Sequence, residues 1–160
     1  MHKLLGILLI VLSGSTLGSQ CAAILKRRVR ALEAIIKMLD SLELKINTFS
    51  TPLDEFFDCY KDELLESCGF LQEVRENGFS CALKSNADEM YLTEDDVRLL
   101  SEFADDSLHF SAAEQARRCH YYKCECQKLA DQAKESLPLY TRLLGSLGIM
   151  SGILASVLII

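Results

Sequence analysis

Apolar and polar positions divide the chain into three stretches. Residues 4–25 carry no ionisable side chain except the thiol of Cys21, and residues 143–160 carry none. Every acid, and every Lys and Arg except Lys3, lies in residues 26–142. At 1.5 Å per residue the two apolar runs would make helices of ~33 and ~27 Å, against a hydrocarbon core of ~30 Å. The pattern predicts an N-terminal transmembrane helix over 1–25, a cytoplasmic helical domain over 26–142 and a C-terminal transmembrane helix over 143–160.

The middle stretch has a helical period. Leu25, Val29, Leu32, Ile36, Leu39, Leu42, Ile46 and Phe49 recur three and four apart, and neither Gly nor Pro interrupts residues 21–50. The first apolar helix is therefore expected to continue into this stripe. Thr51-Pro52 predicts an N-cap with Pro at the first helical position, and Asp54 and Glu55 suit the positive helix end. That second helix would turn Leu53, Phe56, Phe57, Tyr60 and Leu64 inward. A short helix from about Cys68 should stop at Asn77-Gly78, with Gly as a left-handed cap. Ser80 is then expected to cap a helix facing Ala82, Leu83 and Ala87 inward. Thr93, followed by Glu94, Asp95 and Asp96, opens another that buries Val97, Leu100 and Phe103.

Ser111-Ala112-Ala113-Glu114 fits a capping box for the last and longest helix. Its stripe of Ala112, Ala116, Cys119, Cys126, Ala130 and Ala133 would allow close antiparallel packing, most simply on the helix that follows the first apolar run. Pro138 should kink or break the approach to residues 143–160. No useful length alternates with period two. The expected fold is all-α, a cytoplasmic helical bundle flanked by two transmembrane helices.

Composition bears on compartment and topology. With 160 residues, 49% of them hydrophobic, the chain is long and apolar enough for one ordinary core, which excludes a disordered or collagen-like chain. Its seven Cys, odd in number and irregularly spaced, predict reduced thiols rather than a disulfide framework. The basic run Lys26-Arg27-Arg28-Val29-Arg30 and Arg142 flank the middle domain, which places it in the cytoplasm and both termini on the far side. The alternative is a cleaved leader, with His2-Lys3 as its basic start, giving a secreted helical protein with an anchoring tail. The basic run after residue 25 argues against export. Gly14 with Gly18, and Gly148 with Gly152, each form Gly-x-x-x-Gly, the spacing that lets membrane helices pack closely.

Candidate chemistry is sparse. Cys119, His120, Cys124 and Cys126 make one metal-like group, but four ligands on one continuous helix cannot converge tetrahedrally. The thiols read instead as small apolar residues along a helix seam, and no metal or cofactor is expected. A membrane-anchored metal- or ligand-binding sensor or transport subunit built on this helix is the alternative function. No Walker loop, dinucleotide glycine motif or nucleophile elbow occurs, so neither catalytic residues nor a small-molecule substrate are expected. Residues 51–114 hold 17 acids against Lys61, Arg75, Lys84 and Arg98, a balance of −13 that argues against nucleic acid. The partner-binding candidates are the acids at helix starts, Asp54, Glu55, Glu94, Asp95 and Asp96, facing a basic protein surface.

Three motifs in this order resemble one family. Thr51-Pro52-Leu53-Asp54-Glu55-Phe56 is similar to its Thr-Pro-Leu turn, and Asn77-Gly78-Phe79-Ser80 to its Gly-x-Ser turn. The end, Leu139-Tyr140-Thr141-Arg142-Leu143-Leu144-Gly145, is similar to the tyrosine-arginine-leucine-glycine signature before its final span. Together they resemble the stage III sporulation protein AB family, related to the F-family inner-membrane platform of type II secretion. Two places depart from the pattern: Leu108-His109-Phe110-Ser111-Ala112 lacks the usual Gly and Asp, and Pro138 interrupts the approach to the second span.

The resemblance implies a non-enzymatic component of the channel complex between mother cell and forespore, on the mother-cell side of the forespore membrane. Its implied partners are a secretion-type ATPase docked on the cytoplasmic domain, other membrane channel subunits and membrane lipid; homo-oligomers are compatible with this. Residues 26–142 alone are expected to express as a soluble, mainly helical protein. Circular dichroism showing substantial strand, or an unfolded chain, would contradict that expectation.

Overall fold

A computed structural model describes the backbone of residues 2–49, 53–106 and 111–159, and the side chains of 20, 22–48, 55–105, 111, 113–139, 146 and 150. The described residues are helical and contain no strand. The elements are α1 (His2–Phe49), α2 (Leu53–Cys59), α3 (Glu63–Ser67), α4 (Phe70–Asn77), α5 (Phe79–Asn86), α6 (Glu94–Asp106) and α7 (Ala112–Ile159). They form two compact units. Met1–Lys26 and Gln132–Ile160 make one; Arg27–Asp131 make the other.

In the first unit both stretches of chain are helical, and Ala22 and Ala133 are buried. Of the kink or break expected at Pro138, the break does not occur: α7 runs through the proline. Two residues earlier Ser136 Oγ donates to Gln132 O at 2.7 Å and lies 3.1 Å from Ala133 O. Among the described residues no helix is long and apolar enough to cross a membrane. The side chains of 4–25 and 143–160 lie mostly outside the described residues. So do the surroundings of Gly14, Gly18, Gly148 and Gly152, the Thr51-Pro52 cap, Leu53, Asp54 and the loop at 107–110.

The second unit is built on the antiparallel pairing of α1 and α7. Ala31, Ala34, Ile35, Met38, Leu39, Leu42 and Ile46 of α1 share one buried cluster with Ala116, Cys119, Tyr122 and Cys126 of α7. The small side chains of α7 allow the close approach, as the stripe predicted. Tyr122, outside that stripe, is buried in the same cluster. On the solvent side Lys123 Nζ donates to Asp40 Oδ1 at 2.8 Å and Glu43 Oε2 at 2.7 Å, and these bonds hold its pKa above the ordinary lysine range.

The five short helices complete the core. α2 and α3 pack on α4, α4 on α5, and α5 on α6. A series of rings joins them: Phe57 and Phe70 meet Phe79, Phe79 meets Phe103, and Phe103 meets Tyr122 of α7, with centroids 5.5–6.0 Å apart. The single helix expected after residue 52 is two helices. α2 ends at Cys59, where Arg75 Nε and Nη2 donate to Phe57 O and Tyr60 O. Asp62 then caps α3, accepting from Leu64 and Leu65 N–H. The reason is local: an aspartate at an extended φ of −146° competes with helix continuation and wins.

Gly69 (φ 76°) turns α3 into α4, and Gly78 (φ 84°, ψ 164°) joins α4 to α5. Gly78 has the expected positive φ, but its ψ is extended rather than left-handed helical, a region open almost only to glycine. It serves as the N-cap of α5, so Ser80 lies inside the helix and not at its start. Ala82 and Leu83 are buried as expected. Beyond α5 the chain stops in a Schellman arrangement, with Leu92 N–H donating to Ala87 O and Tyr91 N–H to Asp88 O. Its left-handed position holds Tyr91 (φ 56°) where glycine is usual. Arg27 lies over that ring at 5.5 Å and donates to its Oη at 3.0 Å.

The start of α6 is tied both to its own cap and to α1. Thr93 N–H donates to Asp96 Oδ2 at 2.9 Å, and Asp96 N–H approaches Thr93 Oγ1 at 3.4 Å, a capping box with aspartate in the acid position. Arg28 of α1 grips the same carboxylate with both prongs, Nε to Oδ2 at 2.7 Å and Nη2 to Oδ1 at 2.9 Å, and Nη2 also reaches Thr93 Oγ1. Asp96 is fully buried and Arg28 mostly so. Asp96→Asn should cost about 2–4 kcal/mol, the buried-pair figure reduced for the partial exposure of Arg28. Urea denaturation of Asp96→Asn, Arg28→Met and the double variant should show the double costing less than the two singles combined.

Candidate functional site

Of the five acids expected to face a partner, the structure leaves three on the surface for inspection. Glu55, Glu94 and Asp95 are exposed, and Asp54 lies outside the described side chains. Asp96 is corrected: it is buried at the foot of α6 and spent on Arg28 and the helix cap. A carboxylate three residues into a helix behind a threonine reaches back to the cap, and Arg28 of α1 covers it from the other side. The exposed acids do not form one cluster either. Glu55 stands on α2 and Glu94 and Asp95 on α6, at opposite ends of the packing succession of the short helices.

Around α6 the acids gain neighbours that composition did not show. Asp95, Arg98, Leu99 and Glu102 line an open groove of about 360 Å³ together with Glu125 and Leu129 of α7. Arg98 Nη2 pairs with Asp95 Oδ1 at 2.8 Å, and Lys128 Nζ with Glu125 Oε1 at 2.6 Å. Leu99 and Leu129 thus sit among three acids and Arg98. Glu102 was legible as a residue seven beyond Asp95 on the same helix face; Glu125 arrives from α7 and had no local signal.

The thiols divide by depth. Cys119 and Cys126 are buried in the seam, and burial pushes both thiols up to about 12. Glu43 adds to the shift at Cys119 and Asp96 to that at Cys126. His120 and Cys124 lie on the exposed side of the same helix. The four residues of the metal-like group thus point to two sides of α7. Among the described residues no three metal-ligating side chains converge.

The unit is an all-helical module: two long antiparallel helices with a small-residue seam, a cap of short helices and charged open grooves on its outside. The chain belongs to the stage III sporulation protein AB family, whose model matches residues 3–160, and is therefore a sporulation protein. No curated protein and no solved structure matches it.

The buried thiols make stability fall with alkali. Folded, they keep their protons to about pH 12; unfolded, they release them near the ordinary value of 9. The unfolded state therefore binds fewer protons above pH 9, and stability declines as pH rises through that window. Between pH 8 and pH 10 each thiol should withdraw about 1 kcal/mol. Lys123 stays charged in both states over most of this range. Urea midpoints at the two pH values should fall for the parent protein and fall less for Cys119→Ala or Cys126→Ala.

Proposed function

We propose that this protein is a non-enzymatic inner-membrane component of a secretion-like channel complex between mother cell and forespore. Its unit at Arg27–Asp131 acts as a cytoplasmic platform, and the two ends of the chain anchor it. Membership of the family over nearly the whole chain is the observation that carries this reading. The uncharged runs at 4–25 and 143–160 support the anchors, and the two ends falling in one compact unit is in keeping with them. The basic residues on the domain side of both runs support a cytoplasmic middle, with both termini on the far side.

The docked partner is a secretion-type ATPase of the same complex, with other membrane channel subunits beside the anchors. The groove between α6 and α7 is the preferred contact, because it sets Leu99 and Leu129 beside the acids Asp95, Glu102 and Glu125. Such a surface suits a basic partner whose encounter is steered by charge.

Glu94→Lys, Asp95→Lys and Glu102→Lys in one variant should slow association with the ATPase and flatten its salt dependence, since exposed charges are screened over ~8–10 Å. Helicity should be unchanged, because all three acids are exposed and Asp96 is left in place. Association with unchanged rate and salt slope would remove this face as the contact. Reporter fusions active on the cytoplasmic side at either terminus would overturn the topology.

A further inference from the structure

On the outer side of the α1–α7 pair, a second open groove brings a thiol, an imidazole and a carboxylate into series. Cys124 and His120 stand one turn apart on α7, with Sγ 3.8 Å from Nε2. The other ring nitrogen, Nδ1, lies 3.2 Å from Glu43 Oε1 of α1, 77 residues away in the chain. Glu43 is itself held, because its second oxygen accepts from Lys123 Nζ at 2.7 Å. In the tautomer that donates Nδ1–H to Glu43, Nε2 is left as an acceptor facing the thiol. A nucleophile, a base within reach of it and a third group orienting the base is the arrangement that activates thiols.

The surroundings distinguish Cys124 from the other thiols. Cys119 and Cys126, on the same helix, are buried and held in the protonated form. Cys81 is exposed, but the side chain nearest its Sγ in hydrogen-bonding terms is the Glu73 carboxylate at 4.0 Å, which offers no base-and-orienter pair. The groove at Cys124 has a volume of about 490 Å³, room for a small-molecule adduct, with Asn47, Tyr121 and Arg117 among its walls. Arg117 is exposed and loosely paired with Glu114, Nη1 to Oε2 at 3.9 Å, which leaves most of its donors to a ligand that carries a carboxylate.

We propose that Cys124 is a modification site, a nucleophilic thiol that exchanges with low-molecular-weight disulfides bearing carboxylates and keeps the mixed disulfide in this groove. As Sγ attacks one sulfur of the disulfide, its proton passes to His120 Nε2. The Cys124 sulfur–sulfur bond forms, the reagent's own sulfur–sulfur bond breaks, and the departing thiolate takes the proton from His120. The disulfide is the only oxidant consumed. This inference rests on the α1–α7 pair alone and stands whether or not an ATPase docks.

The test uses the reduced full-length protein in detergent, oxidised glutathione as probe, and mass spectrometry to follow each cysteine separately. A free thiol is only a few per cent thiolate at neutral pH, so removing its proton is worth at most about 30-fold. Cys124 should react about tenfold faster than the exposed Cys59 and Cys81. His120→Gln, at an exposed position, should erase that advantage with helicity unchanged, and Glu43→Gln should erase part of it. Arg117→Gln should slow glutathione more than a neutral dipyridyl disulfide. A Cys124 rate no higher than those of Cys59 and Cys81, or a fast rate that survives His120→Gln, would overturn the proposal; equal slowing of both reagents by Arg117→Gln would overturn the carboxylate preference.

Discussion

The second unit depends on one buried carboxylate. Asp96 closes the first turn of α6, receives both prongs of Arg28 and so ties the cap of short helices to α1. A buried ion pair is weak evidence of net stability, since taking two charges from water costs several kcal/mol per ion. Its value here is positional. The bidentate geometry admits one register of α6 against α1, and a slip by one residue would leave a charge buried without a partner. Arg28 belongs to a basic run that, read along the chain, speaks only of topology. Folding withdraws it from that role and leaves Arg27 on the Tyr91 ring and Arg30 at the surface.

Around this tie the two halves of the core use opposite packing materials. The α7 side of the long-helix seam has Ala116, Cys119 and Cys126 at its contacts, so backbones come close with little side-chain volume. The cap is aromatic, with Phe57, Phe70, Phe79 and Phe103 meeting edge to face or tilted. Tyr122 is where the two meet, on α7 but against Phe103. Rings bury large areas at small entropic cost, which lets helices of five to eight residues, too short to be stable alone, hold their places.

Much of this was legible along the chain and some was not, for identifiable reasons. The α1 stripe, the α7 seam, the stop at Asn77-Gly78 and the start after Thr93 were readable, because each rests on periodicity or a local cap. The break at Asp62 was missed because Tyr60 and Leu64 keep helical spacing across it; the cap was present and was outweighed by the pattern. Ser80 gave way to Gly78 because backbone conformation, not a hydroxyl, starts α5. Asp96 was read as surface because its partner lies 68 residues away. Separations of 77 and 30 residues hid Glu43 from His120 and Glu125 from Asp95, so neither groove could be assembled from spacing alone.

The clasp of Lys123 on Asp40 and Glu43 also dictates an order of events. Among themselves the short helices touch near neighbours in sequence, whereas the clasp closes a loop of 80 and 83 residues. Closing it on an open chain costs more entropy than closing it over a cap already folded. During synthesis the apolar stripe of α1 has no seam to meet until α7 has emerged, so for most of that time it is covered by the cap or by nothing. Within this unit the newborn chain therefore exposes its longest apolar face first and hides it last, and any helper that holds a bare helix face has its longest opportunity there at residues 31–46.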